Sequence, residues 1–124
     1  MDKKEWTIQI TEAAKAAGTY QVFFDAVIDT LADILAKRDA AQKAFEDSGC
    51  ELVVEHTNKG GATNIEQNPA LRVITVLNRD ALAYWRDLGL TPAGLKRLNE
   101  SALKTEKKRG TALEEALERL GGGA

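Results

Sequence analysis

Cysteine and histidine each occur once in the 124 residues, as Cys50 and His56. One cysteine allows no intrachain disulfide, which fits a reducing cytoplasm. One histidine rules out a zinc site or His-based cluster built within one chain, so no metal and no cofactor is expected. No apolar run approaches the length of a membrane span, and Asp2-Lys3-Lys4-Glu5 leads into an amphipathic pattern rather than a signal peptide. No membrane partner is therefore expected. The Lys59-Gly60-Gly61 turn has no phosphate-loop pattern around it. His56 beside Glu55 is a surface or packing residue far more often than a base. Cys50 precedes the acidic Glu51, which disfavours a thiolate. The row Asp25, Asp29, Asp33 is most simply a solvated helix face, and only convergence in an oligomer would make it a cation site. Catalytic residues: none. The expectation is a protein that is not an enzyme.

The net charge of −2 gives no general attraction to a polyanion. Its distribution is more informative. Residues 21–57 carry Asp25, Asp29, Asp33, Asp39, Glu46, Asp47, Glu51 and Glu55 against Lys37, Arg38 and Lys43. Residues 91–109 carry Lys96, Arg97, Lys104, Lys107, Lys108 and Arg109 against Glu100 and Glu106. Two surfaces of opposite sign are implied.

The length suits one domain, spanning residues 1–124, with a basic segment and a short helix over about 104–124. The fold class is mainly α: a helical bundle built on a long antiparallel helix pair with a small β-hairpin or loop insert. Asp2 and Glu5 have capping-box spacing before a helix whose stripe is Trp6, Ile10, Ala13 and Ala17, and Gly18 stops it. Thr19 is placed to cap a longer helix over 20–47. Its seam is Tyr20, Phe24, Val27, Leu31, Ile34, Arg38, Ala41 and Phe45, widened by Phe23, Ile28 and Leu35. Ser48-Gly49 ends it. Residues 51–57 and 62–66 are the β-prone arms of a hairpin, turning at Asn58-Lys59-Gly60-Gly61.

Asn68-Pro69 writes a helix start: an N-cap residue and a proline at the first helical position. Thr91-Pro92 repeats it. Between them, Leu88-Gly89-Leu90 is a stop in which Leu90 can fold back on Trp85. Leu71, Ile74, Asn78, Ala81, Trp85 and Leu88 form one seam of the intervening helix. Val73, Val76, Leu77, Leu82 and Tyr84 lie beside or away from it. An arc this wide fits either a central core helix or one that also packs on a second subunit. The residues expected at that core or oligomer interface are Leu31, Ile34, Val73, Val76, Leu77, Tyr84 and Trp85. The next helix is expected to run to Leu103. A basic linker follows, then a last helix capped by Thr111 with Glu114 and ending at Leu120, with Gly121-Gly122-Gly123 frayed.

The corner Leu88-Gly89-Leu90-Thr91 with Leu95, Arg97 and Leu98 has a helix-turn-helix look, although Trp85 stands where that motif usually has a small residue. Lys96, Arg97 and Asn99 are its only polar readers. Lys104, Lys107, Lys108 and Arg109 are either a phosphate-neutralising segment or a solvated linker. The candidate DNA-binding set is Lys96, Arg97, Lys104, Lys107, Lys108 and Arg109.

One set of residues resembles the small subunit of tailed-phage terminases. It comprises Gly18-Thr19-Tyr20 with Phe24-Asp25 and Ile28; Leu31-Ala32, Ile34-Leu35 and Arg38-Asp39; and the turn 56–64. It continues in Asn68-Pro69-Ala70-Leu71 and in Tyr84-Trp85-Arg86-Asp87-Leu88-Gly89-Leu90-Thr91-Pro92. The resemblance covers about 19–98. It implies a non-enzymatic DNA-packaging factor of the host bacterial cytoplasm. Such a factor forms a homo-oligomeric ring, binds double-stranded viral DNA and delivers it to the large terminase subunit, whose ATPase and nuclease it modulates. The alternative is an oligomeric helix-turn-helix-like DNA-binding regulator without a motor partner; a purely structural interaction module is the third reading.

Overall fold

The Asp2 carboxylate accepts the backbone N–H of Glu5 at 2.8 Å and opens helix α1, Lys3–Ala17. The computed structural model describes residues 1–121, so Gly122 and Gly123 of the expected frayed end lie outside the described residues. Gly18 terminates α1 at φ 74°, in the left-handed region that glycine enters without a Cβ penalty. The expected cap at Thr19 does not form. The backbone N–H groups of Thr19 and Tyr20 both close back on the Ala14 carbonyl, at 2.9 and 3.2 Å. The chain is thereby pinned to the end of α1 and re-enters helix only through a 3-10 turn, Val22–Phe24, so that α2 spans Asp25–Asp47.

The β-hairpin forms as expected. Strands β1, Val53–Thr57, and β2, Thr63–Gln67, pair antiparallel, with Val53 opposite Gln67 and Thr57 opposite Thr63. The Asn58 side-chain oxygen accepts from the backbone N–H groups of Gly60 and Ala62, each at 3.0 Å, which builds the turn. Asn68 then caps α3, Pro69–Asp87, accepting from Ala70 N–H at 3.1 Å. Its amide also donates to the Glu51 carbonyl at 2.9 Å and to the Ser48 hydroxyl at 3.2 Å, tying the start of α3 to the end of α2. Further along, Arg38 reaches Asn78 at 3.4 Å. The two helices therefore run antiparallel, as their seams imply.

Helix α2 lies between α1 and α3 and is buried from both sides. Its most deeply buried residues are Ile28, Leu31, Ala32 and Leu35, joined by Ile10 of α1 and by Ala81 and Leu88 on the α3 side. The expected seam does face inward: Leu31 is fully buried, Tyr20, Phe24, Val27 and Ile34 pack against the core, and the flanking Ile28 and Leu35 are buried with it. The correction is to its edges, where Phe23 is largely exposed and Ala32 is buried, because α2 is pressed by α1 and α3 together.

Asp39 fastens α1 to α2. It accepts from the Trp6 indole N–H at 2.8 Å and from the N-terminal ammonium at 3.1 Å, and it pairs with Arg38 at 3.0 Å. Burial pushes its carboxyl pKa up, but the hydrogen bonds from Trp6, the N-terminus and Arg38 outweigh this and hold it below the ordinary 3.8. A depressed folded-state pKa stabilises above the unfolded value. That stabilisation is lost as pH falls through the lower folded value. The expected result is that α1 loosens below about pH 4. Asp39→Ala leaves the Trp6 N–H without its acceptor and should cost about 1–3 kcal/mol at pH 7 in urea unfolding. Unchanged stability would show that the cluster contributes nothing.

The third correction is α4, Pro92–Gly121, which is one unbroken helix. The linker expected after Leu103 is helical, and the Thr111 hydroxyl donates to the Lys107 carbonyl at 3.0 Å instead of capping a new start. Among the described residues the fold is mainly helical, with this one small two-stranded sheet.

Candidate nucleic-acid interface

The base of α4 is set by two glycines. Gly89, at φ 72°, forms the corner, and the Leu90 N–H closes back on the Trp85 carbonyl at 2.9 Å. Thr91 caps α4 by accepting the Gly94 N–H at 3.0 Å. Gly94 lies directly on the backbone of α3. A side chain there would run into the Arg86 carbonyl oxygen and sit 2.9 Å from its carbon. The close approach of α4 to α3 depends on that missing Cβ, a role the sequence alone does not disclose.

The six candidate cations all lie on α4 and are all exposed. Lys96 stands near Glu100, at 4.0 Å. Helical phase divides the set. Arg97, Lys104 and Lys108 are spaced seven and four residues apart and share a face with Lys107, over about 16 Å of helix axis. Lys96 borders this face. Arg109 is turned off it, toward the side of Ala102 and Leu113. Lys104 and Lys107 also flank a shallow recess with Glu100 and Leu103. The segment is thus a helical, solvent-exposed cationic surface continuous with the rest of α4.

The candidate interface residues separate by burial. Leu31 is core, with Ile34, Tyr84 and Trp85 packed against that core. Leu77 is half-buried. Val73 and Val76 face outward on one flank at 46% and 39% exposure, and Leu82 is exposed on the opposite flank of the helix. Of the wide arc of α3, then, one side is spent inside the subunit and the other is free within this chain. Val22 and Phe23 of the 3-10 turn form a second exposed apolar patch, although Phe23 is expected to widen the inward seam of α2.

The acidic row of α2 is occupied by local partners. Asp29 pairs with Lys3 at 3.1 Å, Asp33 with Lys37 at 2.8 Å, and Asp25 accepts from the Tyr20 hydroxyl at 2.8 Å. The Lys37 hydrogen bond lowers the Asp33 pKa. Among the described residues no group of three or more His, Cys, Asp or Glu side chains is placed to hold a metal ion. His56 and Cys50 are both exposed. No helix of the described residues is long and apolar enough to cross a membrane.

A family model described as phage terminase, small subunit, matches residues 3–105. The match takes in Lys96, Arg97 and Lys104 and ends before Lys107, Lys108 and Arg109. No curated protein and no solved structure matches the chain.

Proposed function

The chain belongs to the phage terminase small subunits, and on that premise we propose that it is a non-catalytic DNA-packaging factor working in the host bacterial cytoplasm. It assembles into a closed homo-oligomer, binds double-stranded viral DNA through α4, and presents that DNA to the large subunit, whose ATPase and nuclease it modulates. The observation that carries this reading is the basic face of α4: Arg97, Lys104, Lys107 and Lys108 on one exposed helix. Phosphate contacts by a few such cations bind weakly, with non-specific dissociation constants of about 10⁻⁴ to 10⁻⁶ M. A ring repeats the patch and raises avidity without new contacts. The outward Val73 and Val76, on one flank of α3, supply an apolar surface for the neighbouring subunit.

Replacing Lys104, Lys107 and Lys108 with Ala should weaken binding to packaging-site DNA and lower the slope of log affinity against log salt by about 2.7, three contacts at about 0.9 each. Arg109→Ala, off the basic face, should change the slope far less. An unchanged slope in the triple variant would place the DNA contacts elsewhere. The tight α3–α4 corner favours a second reading, a helix-turn-helix-like regulator with no motor partner. Adding purified large subunit separates the two, because only a packaging factor changes its rate of ATP hydrolysis.

A further inference from the structure

Beyond about residue 98, α4 leaves the body of the protein, and every residue from 101 to 121 is exposed. A lone helical arm with Gly110 in its middle is poorly stabilised by propensity, and arms of this length normally hold their shape by packing. Its surface has a seam. Leu103, Glu106, Gly110, Leu113, Leu117 and Leu120 recur at alternating steps of three and four. The four leucines are exposed by 63%, 63%, 59% and 82% in chain order.

The charges beside that seam do not suit the helix that carries them. Lys104 and Lys108 are like charges four residues apart, as are Glu114 and Glu118, and each such pair is destabilising. Glu118 also stands near the C-terminus of the helix, where the dipole disfavours an acid. Among the described residues no ion pair reaches Lys104, Lys107, Glu114 or Glu118. The pattern is a basic block followed by an acidic block, and a second copy of the same helix running the other way neutralises both.

We propose that residues 103–120 pair antiparallel with the same segment of a second copy of this chain. Centred between Thr111 and Ala112, the pairing sets Leu103 against Leu120, Glu106 against Leu117 and Gly110 against Leu113. On one flank Lys107 then meets Glu114 and Lys104 meets Glu118, twice over by symmetry. Gly110 leaves the space that Leu113 of the second copy fills. Glu106, the one charged residue of the seam, faces Leu117 and weakens it. Parallel pairing would align basic block with basic block and acidic with acidic. The overlap ends at Leu103, just outside the docked part of α4, so the second copy meets no body. This contact is two-fold, whereas neighbours in a ring are related by rotation about the ring axis. It therefore joins chains of two rings, or two unassembled chains. Resting on the DNA reading above, one consequence is that self-pairing and DNA compete for Lys104 and Lys107.

The test uses the full chain without DNA. Glu114→Lys/Glu118→Lys should halve the assembly mass in light scattering, as should Lys104→Glu/Lys107→Glu, and mixing the two variants should restore it. The arm lies outside the core, so circular dichroism should confirm that both variants stay folded. In a Cys50→Ala background, chains carrying Leu103→Cys mixed with chains carrying Leu120→Cys should give the mixed product with a short thiol cross-linker. Unchanged mass in both variants, or cross-linking only between identical chains, overturns the pairing. The acidic-block variant keeps every DNA-binding lysine. Halved mass with no DNA affinity in any form would leave the pairing standing and defeat the DNA reading alone.

Discussion

Gly94→Ala should unseat α4 from α3, although Ala is the better helix former by about 0.5–1 kcal/mol. The new methyl meets the Arg86 carbonyl, which is backbone and cannot rotate away as a side chain would. Overpacking of this kind costs about 1–3 kcal/mol and sometimes more, and Gly94→Val adds two further methyl groups at the same point. The loss should be local at first. The contact between α2 and α3 does not involve Gly94, so hydrogen exchange should quicken along the first turns of α4 while α2 keeps its protection. DNA affinity should fall with no charge removed, because the basic face moves with the helix. A Gly94→Val variant with wild-type exchange in α4 would mean that the two backbones do not approach as described.

Leu31→Ala should have the largest effect on global stability. Leu31 is fully buried in the first half of α2, within the core cluster to which α1 and α3 both contribute. Removing a side chain at such a site costs about 3–5 kcal/mol, the lost transfer energy plus the cavity left behind. A domain of this size has only about 5–15 kcal/mol in all, so a fall in melting temperature of roughly 15 °C or more is expected. Val76→Lys is the contrasting substitution. At 39% exposure it should cost the isolated chain no more than about 0.5 kcal/mol. If that side of α3 meets another subunit, the variant should fold with wild-type helicity and appear in native mass spectrometry as nothing larger than an arm-paired dimer. An intact oligomer in Val76→Lys would move the subunit contact to another apolar surface, such as the exposed Val22 and Phe23.

The pattern of what was readable in advance follows from the range of the forces involved. Caps and stops are contacts within a few residues, so Asp2, Gly18, Asn68, Gly89 and Thr91 could be placed from chemistry alone, and each does what its side chain or missing Cβ requires. The hairpin follows from Asn58 and the glycines beside it in the same way. The pairing of α2 with α3 was legible because each carries a long apolar seam and the insert between them brings the chain back. The six cations of the candidate site were visible as a charge surplus, but not their arrangement.

Three matters depended on what else arrives in space. Thr19 fails as a cap because its N–H and its hydroxyl both turn back to the Ala14 carbonyl, and the chain does not re-enter helix until Val22. The buried face of α2 takes in Ala32 and leaves Phe23 outside because two helices press on it. Helix α4 continues through Lys104–Thr111 because glycine and a run of cations permit a helix without demanding one, and Thr111 bonds back along it instead of starting anew. That continuity arrays Arg97, Lys104, Lys107 and Lys108 on one face and turns Arg109 away. Gly94 is the limiting case. Its residue type says only that a Cβ is absent, and the reason for the absence is the backbone of another helix.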